Sequence, residues 1–246
     1  MIEQFYDLKP QVLELDRKTL KICRDQFAHQ EEIRDYNKLK MLRAFTDCGV
    51  EARHFLGSTG YGVWDDSRNK LEEVFSRCMG AEDALVRPQF MSGTHTLTVA
   101  LFGLLRAGDT LLAATGRPYD TLEGVIGIGE AGKGCGTLQE YGIHYDEVPL
   151  LPDFTPDYAA IAEHAKTATV VHIQRSRGYT QRNAFDLDTI QKVADTARKA
   201  NPDVVIFVDN CYGEFTQIRE PLSAGADVIA GSFIKIPGGG ITPTGG

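Results

Sequence analysis

The 246-residue chain predicts an α/β fold, a mostly parallel sheet with helices on both faces. Residues 204–208 (VVIFV) form an unbroken apolar run, the pattern of a strand covered on both sides rather than the alternation of a half-solvated one. Extended apolar segments recur near positions 84, 110, 144, 170, 205 and 228, with helical periodicity between them, which is the β-α-β order of a parallel sheet. Several of these segments run directly into small, charged or aromatic residues, and open α/β sheets bind ligands at such strand ends.

Residues 1–50 read as a charged helical arm, with Ile33, Tyr36, Leu39, Leu42 and Phe45 recurring about every three positions and Gly49 placed as a stop. The arm is expected to pack on its own domain or on another subunit, and residues 51–246 to form one large domain. Residues 51–70 mix Gly, Asp and Ser with aromatic residues around Tyr61, which lies between two glycines. That pattern fits either a tight turn with a partly exposed tyrosine or a ligand-contacting loop. A helix follows over 69–79, with Leu71, Val74, Phe75 and Cys78 on one face and Gly80 ending it.

Residues 83–87 read as a short strand, 90–95 (FMSGTH) as a loop of small residues, and 97–105 as a helix. Strand, small loop, helix presents unsatisfied N–H groups and a positive dipole end to an anion. Gly93 permits close approach there, and Ser92 and Thr94 add hydroxyls, although a simple N-cap turn explains the same residues. The next strand, 109–115, leads to Tyr119 at the same rim, where the ring either stacks on a flat ligand or caps the core.

Residues 121–128 read as a helix, and 127–134 match the GxxxxGK spacing of a phosphate loop. Gly134 stands where that motif needs Ser or Thr to hold magnesium, so a glycine-rich surface loop is the preferred reading. A nucleotide-binding protein, with Lys133 on phosphate, is the alternative. Strands at 143–150 and 169–174 flank a helix at 157–166, with Pro149, Pro152 and Pro156 marking the connection. The second strand opens into Arg175, Arg177 and Arg182, whose two-pronged donors suit a carboxylate or phosphate of a substrate. A helix over 187–200, with Ile190, Val193, Ala194 and Ala197 inward, returns the chain to the strand ending at Asp209.

Residues 227–234 repeat the apolar pattern and deliver Lys235 before a Gly-Pro-rich loop. An acid and an amine at neighbouring strand ends suggest pyridoxal 5'-phosphate (PLP), whose aldehyde an amine captures as a Schiff base and whose ring nitrogen an acid keeps protonated. Burial beside the cofactor is expected to lower the pKa of Lys235 toward the neutral amine.

Composition excludes other classes. Lys and Arg total 26 against 34 Asp and Glu, a net charge of −8, which argues against nucleic-acid binding. No apolar run is long enough for a membrane span, and the first residues lack a signal-peptide layout. The five cysteines are scattered with no CxxC pair, so neither a disulfide framework nor a zinc site is expected, and a reducing cytoplasm fits best.

Together, STGYGVWDDSR, ALVRPQFMSGTHTL, RPYDTLEGVIG, HIQRSRGY, FVDNCYGEF and GSFIKIPGGGITPTGG resemble the large domain of fold type I PLP enzymes of the cysteine and methionine metabolism group. Within that group the chain is most similar to the aluminium-resistance, methionine gamma-lyase-like branch. The resemblance implies that Lys235 carries the cofactor, Asp209 pairs with its ring nitrogen, and Tyr119 stacks on the ring and helps protonate a leaving sulfur. It further implies phosphate binding by Ser92, Gly93, Thr94 and Ser232, and a contribution of Tyr61 to a neighbouring subunit's site in a homodimer or homotetramer. The expected activity is a PLP-dependent lyase on a sulfur-containing amino acid. The better-known lyases carry Tyr-x-Arg where this chain has Tyr61, Gly62 and Val63, and Ser-x-Thr-Lys where it has Ser232, Phe233, Ile234 and Lys235. Fold type I enzymes continue past this lysine into a last strand and a smaller domain, so the sequence is expected to be a fragment of such an enzyme or a truncated relative. A catalytically inactive scaffold of the same fold is the remaining alternative.

Overall fold

The computed structural model describes residues 4–61 and 65–246. Gly62, Val63 and Trp64, part of the expected 51–70 loop, and the first three residues of the arm lie outside the described residues. Helices α1 (Pro10–Ile22), α2 (Arg24–Asp47) and α3 (Asp66–Met79) precede the sheet. After α4 (Gly93–Leu104) come β1 (Thr110–Ala113), α5 (Asp120–Ile126), β2 (His144–Glu147), α6 (Tyr158–His164) and β3 (Val170–Gln174). Helix α7 (Leu187–Ala200), β4 (Val205–Asp209) and β5 (Val228–Ala230) complete the fold.

The strands lie in the order β2-β1-β3-β4-β5 and every pairing is parallel. Chain order explains the functional end of this sheet. From β1 the chain goes to β2 on one side and then to β3 on the other, and connections that diverge in this way leave a crevice at the strands' carboxyl ends. In register, Gln174 pairs with Asp209, so β3 and β4 end level.

All five residues of β3 are buried, the polar His172 and Gln174 included, so this strand is covered on both faces. One sheet face packs α6 and α7 through Ile161, Leu187, Ile190, Val193 and Ala197 around Val171, Ile173, Ile206 and Val208. The other packs α4 and α5 through Leu97, Leu101, Leu122 and Ile126 against Leu111, Val170 and Phe207. Helices thus cover both faces, as the sequence predicts.

Local chemistry sets the helix ends. Asp65, Ser92, Asp157 and Asp186 cap the starts of α3, α4, α6 and α7 by accepting N–H groups of the first turn. Gly80 ends α3 in the left-handed conformation at φ 72°, which a residue without Cβ adopts freely. In the arm, α2 docks Ala44 and Cys48 on Val74 and Cys78 of α3. Asn37 ties it to the segment after β4 by donating to the carbonyls of Phe215 (3.0 Å) and Gln217 (3.1 Å). Helix α1 buries none of its residues.

Two expected strands come out differently. Residues 83–87 form no strand: Arg87 exchanges backbone hydrogen bonds with Gly246, and one reciprocal pair does not make a ladder. The strand expected over 227–234 ends at Ala230, whose carbonyl takes the last bond of its ladder, from the Asn210 N–H; the chain then turns, so Lys235 lies in a turn beyond the strand.

The glycine-rich loop at 127–136 is not a phosphate cradle. The Glu140 carboxylate accepts the N–H groups of Gly134 (2.5 Å), Gly136 (2.8 Å) and Thr137 (3.1 Å), and Lys133 pairs with Glu130 at 3.1 Å. The donors a nucleotide would need are already satisfied by acids.

Candidate active site

A cavity of about 760 Å³ opens at the carboxyl ends of β1, β3 and β4, and its lining includes Ser92, Gly93, Thr94, Tyr119, Asp209 and Lys235. Residues far apart in sequence meet here because each follows a strand or opens a helix at this rim. The size is that of a small-molecule site.

At one wall, the first turn of α4 points in. Ser92 Oγ accepts the His95 N–H at 3.2 Å, so this hydroxyl serves as the N-cap. The N–H groups of Gly93 and Thr94, in the same first turn, have no helix carbonyl to reach. A Cβ on Gly93 would stand 3.1 Å from Ser232 Cβ, 3.2 Å from Cys211 Sγ and 3.5 Å from Lys235 Nζ. Glycine therefore lets helix, thiol and amine close on one point. Ser232 is 1% exposed and its hydroxyl has no hydrogen-bond partner. A buried hydroxyl left unmatched beside free helix N–H groups is the donor set an anion takes, and the PLP phosphate fits it.

At the other wall, Lys235 Nζ lies 5.9 Å from the centroid of Tyr119 and 4.8 Å from that of Tyr212. Burial lowers the Lys235 pKa, but the neighbouring Cys211 and Asp209 favour the ammonium, and the balance lies above the ordinary lysine value. Burial is the largest single influence on the amine and acts in the expected direction, opposed here by its neighbours. Asp209 is 2% exposed, and burial raises its pKa against a hydrogen bond from the Cys211 N–H (3.0 Å) and the pull of Lys235. Burial also pushes the Cys211 thiol up, so it stays protonated beside the amine.

Tyr119 is held at both ends. Its N–H donates to Gln174 Oε1 at 2.9 Å, fixing the β1 rim to the β3 rim. Its hydroxyl lies 3.0 Å from Thr94 Oγ1, which lies 3.0 Å from Thr121 Oγ1. Burial raises the phenol pKa and the two threonine hydroxyls oppose it.

The three arginines divide. Arg175 is 4% exposed and donates to Asn210 Oδ1, the Gly213 carbonyl and Gln217 Oε1, bracing the loop after β4. Arg182 donates to the carbonyls of Gln174 and Asn183 and is drawn by burial down to about 10. Both guanidiniums are therefore spent within the fold. Arg177 is exposed on the cavity wall and is the guanidinium of the three left for a ligand. Tyr61, 95% exposed, does not line the cavity of its own chain.

Sequence reasoning did not single out Thr121, Cys211, Tyr212 or Glu214 as site elements. Tyr212 holds φ 68°, a conformation non-glycine residues rarely adopt, directly beyond Asp209. Glu214 is 4% exposed with one carboxylate oxygen unpartnered, and burial lifts its pKa to about 8. Cys211 and Tyr212 were within reach, since they stand two and three residues past Asp209; the others depend on pairings that sequence spacing does not report.

Residues 12–246 match the methionine gamma-lyase family. The chain belongs to that family. Uncharacterized protein YnbB of Bacillus subtilis is 45% identical over 217 residues, covering 88% of this chain and 51% of that protein. A carbon-sulfur lyase involved in aluminum resistance from Clostridium novyi is 44% identical with a TM-score of 0.92, covering 97% of this chain and 57% of the other. The pyridoxal-5'-phosphate dependent protein YhfS of Escherichia coli is 20% identical with a TM-score of 0.56, covering 80% and 50% of the two chains, and shares the fold alone. The chain spans about half the length of the curated relatives it matches. Membership of this family implies PLP as the cofactor. Among the described residues no helix is long and apolar enough to cross a membrane.

Proposed function

We propose that this methionine gamma-lyase family protein is a PLP-dependent carbon–sulfur lyase acting on a sulfur-containing amino acid. One observation carries the reading: the amine of Lys235, the buried acid of Asp209 and the Tyr119 ring line one cavity at a helix N-terminus, and the unpartnered Ser232 hydroxyl lies beside Gly93 of that helix. Ser232 with the N–H groups of Gly93 and Thr94 would hold the phosphate, Asp209 the ring nitrogen, and Tyr119 one ring face. When bound, PLP supplies an electron sink for the negative charge left at a substrate Cα.

The chain's own groups would move the protons. Lys235, near the substrate carbon, takes the Cα proton as its amine. Its neutral form would be favoured once the Asp209 charge is paired with the cofactor's ring nitrogen, leaving burial, which lowers its pKa. Tyr119 gives its hydroxyl proton to the departing sulfur. Arg177 attracts the carboxylate of the amino acid at the cavity wall. By the same proposal Tyr61 and the exposed apolar side chains of α1 and α2, among them Leu15, Leu20 and Phe27, meet a second copy of the chain.

The test uses the protein with added PLP. A visible absorbance band that borohydride abolishes, leaving a mass adduct on Lys235, together with thiol release from a sulfur amino acid, is the expected result. Near-normal lyase activity in Lys235→Ala would overturn the assignment.

A further inference from the structure

We infer that Thr121 and Thr94 form a hydroxyl relay that orients the Tyr119 phenol toward the cavity and returns its proton from solvent. The inference rests on the lyase reading above and adds Thr121, at the start of α5, as a positioning residue.

The argument is one of hydrogen-bond counting. Thr94 Oγ1 has hydrogen-bond partners on both sides, Tyr119 Oη at 3.0 Å and Thr121 Oγ1 at 3.0 Å, yet carries a single proton. It can therefore donate to at most one of them, and two kinds of arrangement satisfy the row. In one, Tyr119 donates to Thr94, whose own proton goes to Thr121 or elsewhere, and the phenol proton turns away from the cavity. In the other, Thr121 donates to Thr94 and Thr94 donates to Tyr119, which leaves the phenol O–H free to point at a ligand.

The second arrangement is the one that permits acid catalysis, and it also stabilises the phenolate left behind. The row runs outward: Tyr119 and Thr94 are partly buried and Thr121 is exposed, so its far end meets water. Competing uses of Thr94 are already separated. Its carbonyl accepts from Thr98 Oγ1 at 2.7 Å, and its backbone N–H belongs to the free first turn of α4, so its hydroxyl remains for the relay. At the other end, Tyr119 is fixed through its N–H to Gln174, so the hydroxyl cannot follow a moving main chain.

The proton balance closes. Tyr119 O–H gives its proton to the departing thiolate, which leaves as a thiol, and the negative charge stays on the phenolate. The Thr94 proton then moves to Tyr119, the Thr121 proton to Thr94, and a proton from solvent to Thr121. One solvent proton enters for each thiol released, and no oxidant or second reactant is needed.

The experiment compares Thr121→Val, which keeps the shape and removes the hydroxyl, with Thr121→Ser, which restores it. The first readout needs no turnover. Tyrosinate formation is titrated by ultraviolet difference absorbance in the cofactor-free protein, with Tyr119→Phe identifying the Tyr119 contribution among nine tyrosines. Thr121→Val is expected to shift that titration upward by about 0.5–1 unit, the equivalent of one net hydrogen bond, and Thr121→Ser to bring it back. The second readout is thiol release with PLP bound. Thr121→Val is expected to lower kcat about tenfold, leave KM unchanged and shift the pH profile, with Thr121→Ser close to wild type. A Tyr119 titration and pH profile unaltered by Thr121→Val, while Tyr119→Phe is slow, would overturn the relay and leave the lyase assignment intact. If no sulfur amino acid is turned over at all, the lyase reading fails and the titration alone decides the relay.

Discussion

Gly93→Ala separates the site from the fold. The new methyl would meet Ser232 Cβ at 3.1 Å and Cys211 Sγ at 3.2 Å, both closer than ordinary contact, and Lys235 Nζ at 3.5 Å. Cys211 and Lys235 line the cavity and Ser232 lies beside Gly93 behind its wall, so the crowding falls on the site rather than on the core. The Gly93 backbone is helical, so alanine adds no backbone strain, and alanine favours a helix over glycine by up to ~1 kcal/mol. Crowding of this kind costs about 1–3 kcal/mol, so the net change in stability is about 2 kcal/mol at most, a fall in Tm of roughly 4–8 °C. Cofactor binding suffers differently. Displacing Ser232 from the first turn of α4 removes one charge-assisted hydrogen bond to phosphate, worth about 1.5–3 kcal/mol, or roughly 10- to 100-fold in Kd. Absorbance titration of the cofactor-free protein with PLP, beside thermal unfolding, measures both. A variant that binds PLP with wild-type Kd would refute the placement of the phosphate at Gly93 and Ser232.

Three further outcomes follow from the same geometry. The Glu214 carboxyl titrates near pH 8 in the fold against about 4.5 unfolded, so the folded state holds the extra proton between those values and stability falls as pH rises through that window. Glu214→Gln is expected to flatten this loss between pH 6 and 9 in urea unfolding, and an unchanged slope would contradict it. Buried His172, drawn down to about 4, stays neutral while an unfolded histidine protonates near 6.5, so stability is lost as pH falls from 6.5 to 4, by on the order of a few kcal/mol. An imidazole nuclear magnetic resonance titration showing His172 charged at pH 5.5 would disprove this. Arg177→Ala is expected to raise KM for an amino-acid substrate at least tenfold with the Tm unchanged, whereas Arg175→Ala, which removes a guanidinium holding Asn210 and Gly213, is expected to lower Tm by several degrees. Equal effects of the two on KM alone would show that the division between them is wrong.

Much of the fold is legible in the chain because burial leaves a local imprint. The apolar run before Asp209 announces a strand covered on both faces, and Ile190, Val193, Ala194 and Ala197 announce the buried stripe of α7. Glycine and capping residues mark helix ends for reasons internal to a few residues, as at Gly80 and Ser92. Strand pairing is not local in this way. Residues 83–87 have the composition of a strand, but a ladder needs a partner along its length, and only Arg87 finds one, in Gly246.

The same physics divides the site. Sequence alone determined that an acid closes one central strand, that an amine follows a later one, and that a small-residue turn opens a helix, since each is a property of a short segment. Tertiary structure alone decided which arginine stays free, because Arg175, Arg177 and Arg182 are chemically alike and differ only in the carbonyls that folding brings to them. It also decided which way the lysine pKa moves, since burial and neighbouring charge oppose each other and their balance depends on distances that no spacing in the chain encodes.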